Sequence, residues 1–255
     1  MNEEKEPSIG EKISRIDKKR RMIGRAGVAS PLIMSLMNKT ALGAGVYHCS
    51  ISGAQSGNVS SHPDVSTNCG VGFSPGGWCQ NADKTGNQDG NIHQWLDAGV
   101  IPFKTRKKRL VSGEPKVKQI KKNGIWYPSS STAPDATRVA TVFDAIQAKT
   151  GQNSNQPTLF SDIFGGSSTA TVWEAVCDTG NQLARHAAAD YLNAALHLAT
   201  GIFSPVYDVI SPNDIVSLYQ NSDSGGIVSA AFTTSSGYIV PSGFNAQAYF
   251  ESIHH

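Results

Sequence analysis

Apolar residues recur at steps of three and four along WEAVCDTGNQLARHAAADYLNAALHLAT, which predicts a helix from about Trp173 to Thr200. Trp173, Val176, Cys177, Gly180, Leu183, Ala184, Ala187, Tyr191, Ala194 and Leu198 form its apolar stripe. Asp178, Gln182, Arg185, Asp190, Asn193 and His197 fall mostly outside that stripe. The alanine-rich second half favours helix, and its small side chains let neighbouring elements approach closely. Gly180 costs about 1 kcal/mol in a helix interior. The alternative is two helices meeting near Asp178-Thr179-Gly180, with Asp178 or Thr179 capping the second. Gly201 is placed to end the element.

Weaker signals of the same kind mark the rest. Asn91 to Ala98 reads as a short helix ending at Gly99. Asp135 is placed to cap a helix running through Lys149, with Val139, Val142, Phe143 and Ile146 on one face and Gly151 after it. Thr158 to Phe164 predicts one or two turns that bury Leu159, Phe160, Ile163 and Phe164. Ser211-Pro212 opens a further helix carrying Ile215, Val216, Leu218 and Tyr219, because proline suits the first helical position. Between Gly225 and Pro241 the run IVSAAFTTSSGYIV favours strands, and FNAQAYFESI closes the chain as a short helix. Residues 104–127, KTRKKRLVSGEPKVKQIKKNGIWY, read as a β-hairpin turning at Ser112-Gly113-Glu114-Pro115.

The expected fold class is therefore α+β and predominantly helical. It is a single disulfide-stapled domain over residues 45–255, with a protruding basic β-hairpin inserted at 104–127 and a small C-terminal strand region. At 39% hydrophobic, a chain of 255 residues can bury a core of its own.

Residues 1–44 have the form of an export signal. A polar region ends in Lys18-Lys19-Arg20-Arg21, AGVASPLIMSLM follows, and Ala41, Gly43 and Ala44 offer small residues for cleavage. The apolar run is short, only mildly apolar and interrupted by Pro31, which resembles a twin-arginine signal more than an ordinary secretory one. A retained basic amphipathic arm is the alternative. No window reaches the roughly 18 apolar residues of a membrane-spanning helix.

Cys49, Cys69, Cys79 and Cys177 all follow the expected cleavage point, and their even number suits a disulfide framework. Of three possible pairings, Cys49–Cys69 with Cys79–Cys177 is favoured. The first would close a glycine- and serine-rich segment, and the second would tie it to the long helix. Zinc is disfavoured because no CxxC spacing occurs.

A resemblance rests on scattered motifs. These are Ser56-Gly57-Asn58-Val59-Ser60, Cys69-Gly70, Ser74-Pro75-Gly76-Gly77-Trp78, Asn81, Trp95, Leu183 to Ala187, and Leu192 to Ala195. The chain resembles, in patches covering about half its length, a group of exported bacterial proteins that carry these motifs behind a basic leader. It departs from them at Gly77, where they have an aromatic residue, and at the inserted Cys79. The resemblance implies export and assigns no activity.

Charge changes the picture more than composition does. Residues 104–122 hold Lys104, Arg106, Lys107, Lys108, Arg109, Lys116, Lys118, Lys121 and Lys122 against Glu114 alone, a local +8. Outside that segment and the first 44 residues, only Lys84, Arg138, Lys149 and Arg185 face fourteen acids, a net −10. Lysines on an edge ribbon guard against unwanted strand pairing. The functional reading is a cationic contact surface for another copy's acidic body, for an anionic polysaccharide or, less readily, for nucleic acid. Only Trp126 and Tyr127 lie nearby as stacking aromatics, fewer than nucleic-acid binders commonly interleave.

Signals for chemistry are sparse. Asp178-Thr179-Gly180 and Asp223-Ser224-Gly225 have the form of aspartic-protease triplets, whose carboxylates share a proton. Here one lies in a helical pattern and the other follows only forty-five residues later. His186 beside Arg185 suits packing better than general-base work. His48, His62, His93 and His197 show no ligand spacing. Asn81, Asp83, Asn87, Asp89 and Asn91 alternate like calcium ligands, but without the terminal glutamate of an EF-hand. Trp78, Trp95, Trp126 and Trp173 read as core more readily than as sugar platforms. No phosphate loop, dinucleotide fingerprint or nucleophile elbow occurs. No catalytic residue, metal or cofactor is assigned.

The expectation is an exported structural protein of the cell surface or extracellular space, the periplasm being the other compartment open to it. It self-associates through its basic hairpin and acidic body, forming fibres where the contact propagates. A binding module for an acidic polysaccharide is the first alternative, and a hydrolase using Asp178 and Asp223 the second.

Overall fold

The computed structural model describes residues 72–109, 116–130, 135–203 and 206–253. The expected leader, Cys49, Cys69, the Ser56 to Ser60 motif and the turn at Ser112 to Pro115 lie outside the described residues. The described chain mixes α and β structure. Its elements are α1 (Pro75–Asn81), α2 (Ile92–Asp97), β1 (Lys104–Arg109), β2 (Lys116–Lys122), β3 (Ile125–Pro128), α3 (Ala136–Thr150) and β4 (Ser154–Asn155). There follow α4 (Phe160–Phe164), α5 (Val172–Cys177), α6 (Gln182–Thr200), a 3-10 turn (Val206–Asp208), α7 (Pro212–Gln220), β5 (Phe232–Thr233), β6 (Ile239–Val240) and α8 (Ala246–Ile253). Among the described residues, no helix is long and apolar enough to cross a membrane.

The stretch from Trp173 to Thr200 is two helices. Asp178 Oδ1 accepts the Gly180 N–H at 2.8 Å, a local turn that competes with helix continuation. Asn181 caps α6, its side chain accepting from the Ala184 N–H, so the cap falls to neither Asp178 nor Thr179. Gly201 ends α6 in the left-handed conformation at φ +75°.

Helix α6 packs against α1, α2, α5, α7, α8 and the 3-10 turn. Its buried surface is accordingly wider than one stripe. Ala187, Ala188 and Ala189 are all fully buried, and so are Asp190 and Asn193, which the periodicity had placed outside. Leu198 is 79% exposed despite its place on the predicted stripe, because the last turn, 198–200, is exposed throughout.

The basic stretch forms three strands where one hairpin was expected. The sheet runs β3-β2-β1-β4 with every pair antiparallel. Lys122 pairs with Ile125 across Asn123-Gly124, whose φ values of 48° and 74° suit a tight hairpin turn. One face of the sheet packs on α3, burying Thr105 and Ile120 there with Val139, Val142 and Ile146 in the core. Among the described residues, β4 pairs with β1 at Thr105 and Arg106 and β3 pairs with β2 from Gln119 to Lys122, so those parts are interior to the sheet, whereas Lys108, Arg109, Lys116 and Val117 lie beyond both partners as a two-stranded ribbon. Asp135 occupies the cap position of α3 but makes no side-chain cap hydrogen bond.

Helix α4 begins at Phe160. It buries Phe160 and Phe164 and leaves Leu159 and Ile163 half-buried. Ser211 caps α7 in a reciprocal box with Asp214. The expected C-terminal strand region contracts to β5 and β6, two residues each, with isolated bridges at Ser222–Val228 and Ile227–Asn245.

Cys79 in α1 and Cys177 at the end of α5 form a disulfide, with Cα atoms 5.2 Å apart. Trp173 Nε1 donates to the Cys79 carbonyl at 3.1 Å, so the same two helices are joined twice. The sulfurs are 98 residues apart in sequence. Replacing Cys79 and Cys177 together by serine is expected to lower unfolding free energy by about 2–5 kcal/mol. Urea denaturation of the oxidised parent and the double variant measures it.

Candidate functional site

The β1 and β2 side chains alternate between faces. Thr105 and Ile120, cross-strand partners, lie on the α3 side. Lys104, Arg106 and Lys108 of β1, with Val117, Gln119 and Lys121 of β2 and Trp126 of β3, share the opposite face. There the Arg106 guanidinium carbon lies 3.6 Å above the Trp126 ring, and Arg106 Nε donates to Gln119 Oε1 at 2.6 Å. The stacked guanidinium shields Gln119, which is buried.

On the α3 side, Lys118 Nζ lies 2.6 Å from Asp144 Oδ2, and Lys122 Nζ lies 2.8 Å from Asp83 Oδ2. Lys122 also sits 5.5 Å from the centre of the Phe103 ring and 5.6 Å from that of Trp173. Arg106, Lys118 and Lys122 are therefore committed within the molecule. Among the described residues, Lys104, Lys107, Lys108, Arg109, Lys116 and Lys121 make no ion pair. The register sets Lys104 opposite Lys121, Lys107 opposite Lys118 and Arg109 opposite Lys116. Like charges placed directly opposite destabilise a ladder. Lys107, Lys108, Arg109 and Lys116 are all exposed.

A second feature lies between α4, α5, α6 and α7. It is an open groove of about 1270 Å³. Its floor is aromatic, with Phe160 and Phe164 stacked at 4.4 Å and Tyr219 edge-on at 5.2 and 5.0 Å from them. The loop 165–168, the α5–α6 turn and residues 222–224 contribute to its walls. Glu174, Asp178 and Asp223 line it, and among the described residues no lysine, arginine or histidine does. Each carboxylate is oriented by one oxygen. Glu174 Oε2 accepts from the Thr171 N–H at 2.8 Å, Asp178 Oδ1 from that of Gly180, and Asp223 Oδ1 from those of Gly225 and Ile227 at 2.9 Å.

The two Asp-x-Gly triplets, separate in sequence, thus line one groove. Each aspartate serves its own turn, whereas acid-protease chemistry requires carboxylates bound to one shared proton. Glu174 also borders a smaller hollow of about 390 Å³, lined in addition by Lys104, Lys121, Asp162 and Trp173.

The remaining candidates have other partners. Asn81 Oδ1 accepts from Lys84 Nζ, its Nδ2 donates to the Asp89 carbonyl, and Asn91 caps α2. With Asp83 paired to Lys122, the alternating oxygens of this loop face different ways. Trp78, Trp95 and Trp173 are buried in the core, and Trp126 lies beneath Arg106. His186 Nε2 lies 3.7 Å from Glu251 Oε1. His197 lies between the Ile202 carbonyl and Asp208 Oδ1, the latter at 2.9 Å.

Two buried polar groups escaped the sequence reading. Asn193 Oδ1 accepts from the Phe73 N–H and from Trp78 Nε1, both at 3.0 Å, while its Nδ2 donates to the Phe73 carbonyl. Nothing in the local sequence marks it. Asp214 accepts from the backbone N–H and hydroxyl of Ser211, the Ser235 hydroxyl, and the N–H and hydroxyl of Ser236. Its Ser-x-x-Asp spacing from Ser211 was the legible signal. Nearby, Tyr207 donates to Asp190 Oδ1 at 3.1 Å. Burial, and then the Asp190 charge, push Tyr207 and Tyr249 well above the ordinary tyrosine value.

No family model, curated protein or solved structure matches this chain.

Asn193→Ala would strand the Phe73 N–H and the Trp78 indole without an acceptor. The expected loss is about 2–4 kcal/mol of unfolding free energy, read by chemical denaturation. For Asp214, burial pushes the carboxyl up, but the bonds from Ser236, Ser211 and Ser235 outweigh it and hold it below its ordinary 3.8. Its contribution to stability is thus complete above that ordinary value and lost as pH falls through the lowered one. Asp214→Asn should flatten this acid limb of the stability curve, measured by urea melts between about pH 5 and pH 2.

Proposed function

We propose that the chain is an exported structural protein that associates with itself at the cell surface or outside the cell, its cationic sheet meeting an acidic surface of the next copy. One observation carries this reading. Folding places six cations without ion pairs among the described residues on two adjacent strands, in a register that sets Lys104 against Lys121 and Arg109 against Lys116. That arrangement works against the sheet by itself and is relieved by an anionic partner. The acidic excess elsewhere on the same chain supplies such a partner. Because donor and acceptor surfaces differ, the contact is head-to-tail, closing a ring or continuing into a fibre according to the rotation per step. The basic leader and the Cys79–Cys177 bond support export.

A second reading, an anionic polysaccharide on the sheet, is favoured by the Arg106–Trp126 stack with Lys104, Lys108 and Lys121 on the same face. Neither reading assigns a reaction.

Sedimentation velocity of the full chain should show association at low salt. It should fade as added salt shortens the Debye length from about 10 Å at 0.1 M toward about 3 Å at 1 M. Reversing Lys107, Lys108 and Arg109 to glutamate should leave a monomer. A parent protein that stays monomeric at low salt and high concentration overturns self-association. In that case, retention on an immobilised acidic polysaccharide, lost in the same variant, would favour the second reading.

A further inference from the structure

Resting on the self-association reading, the structure assigns the acidic surface that receives the cationic strands. We propose that the groove floored by Phe160, Phe164 and Tyr219 takes the far ends of β1 and β2 from a second copy of this chain.

Charge complementarity makes the match. The groove presents Glu174, Asp178 and Asp223, with no basic side chain in its lining among the described residues. The far ends of the strands present Lys107, Lys108, Arg109 and Lys116, all exposed and none in an ion pair among the described residues. Each groove carboxylate has one oxygen anchored to a backbone N–H, so its direction is set before a partner arrives. Preorganisation of this kind lowers the ordering cost of binding. The aromatic floor displaces water from one side of the contact, and charge pairs strengthen as the local dielectric falls. It also offers ring surface to the lysine and arginine stems.

Among the described residues, no part of β1 or β2 lines this groove. Lys104 and Lys121, at the near end of the β1–β2 ladder, border the hollow that shares Glu174 with the groove. Arg109 and Lys116 close the opposite end of the register. Five residues separate Lys104 from Arg109, about 17 Å at the usual strand rise. The free cations therefore reach away from their own acidic groove, and the contact is made between copies.

Complementation tests this. The groove variant carries Glu174→Gln, Asp178→Asn and Asp223→Asn, isosteric changes that keep the oxygens used in the local caps and turns. The sheet variant carries Lys107→Glu, Lys108→Glu and Arg109→Glu. By sedimentation velocity at low salt, each variant alone should associate at least tenfold more weakly than the parent. Mixed in equal amounts, they retain one intact groove and one intact strand pair between them, and should form a 1:1 complex that grows no further. Recovery of that complex also shows that both variants are folded. A groove variant that assembles as the parent does, while the sheet variant does not, overturns the groove assignment and leaves self-association standing. A parent that remains monomeric overturns both.

Discussion

A single carboxamide holds the arrangement together. Asn193 sits in the middle of α6, fully buried, and three of its four hydrogen-bonding valences go to Phe73 and Trp78. A buried amide without partners costs several kcal/mol, so this position stabilises the fold only because the segment entering α1 meets it with a donor, an acceptor and an indole. The bonds span 120 residues of sequence for Phe73 and 115 for Trp78. They pin the first described element to the central helix. Trp78 then stacks edge-on with Trp95 at 5.4 Å, and the Trp95 indole returns a hydrogen bond to the Trp78 carbonyl. Gly90 fits here because any Cβ would meet Gly77 and Trp78 backbone atoms at 2.7 Å.

From that anchor the groove walls follow. The disulfide and the Trp173–Cys79 hydrogen bond hold α5 to α1, and α1 is held to α6 by Asn193. The turn joining α5 to α6, which carries Asp178, is therefore fixed at both ends. On the opposite wall, Gln220 donates to the Phe164 carbonyl at 3.1 Å, and the Asp223 turn accepts two backbone N–H groups. A groove built this way needs little rearrangement to receive the strand ends proposed for it. The sheet contrasts with it. It is attached on its α3 face through Ile120, Thr105 and the Lys118–Asp144 and Lys122–Asp83 pairs. Water screening is what lets the remaining lysines stand opposite one another.

Much of this was legible in the chain and some was not, for physical reasons. Helices α3, α7 and α8 each bury one face, so three- and four-residue spacing picked out Val139, Ile146, Ile215 and Leu218 directly. Helix α6 is covered on several sides, and no stripe describes it. There the inward positions of Asp190 and Asn193 depend on Tyr207, Phe73 and Trp78, which lie far away in sequence. The Asn123-Gly124 turn was in plain view as a hairpin signal. It directly follows one continuous basic run, whose last lysines, Lys121 and Lys122, mask the boundary between β2 and β3. The two Asp-x-Gly triplets were visible as motifs, but their common groove is made by tertiary packing alone.

The energetics of the proposed contact set what assembly it can support. Exposed ion pairs stabilise by about 0–1 kcal/mol each, because long side chains lose freedom and water competes for the charge. Three or four such pairs over an aromatic floor give a modest single contact. A head-to-tail geometry compensates for this. Each copy offers one groove and one strand pair, so every interior copy is held at two contacts, and a closed ring forms its last bond without further loss of translational freedom. Salt acts on every joint at once. In the proposed assembly the cations of β1 and β2 would meet Glu174, Asp178 and Asp223 of the next copy's groove, so that weak individual contacts add up and ionic strength controls the whole.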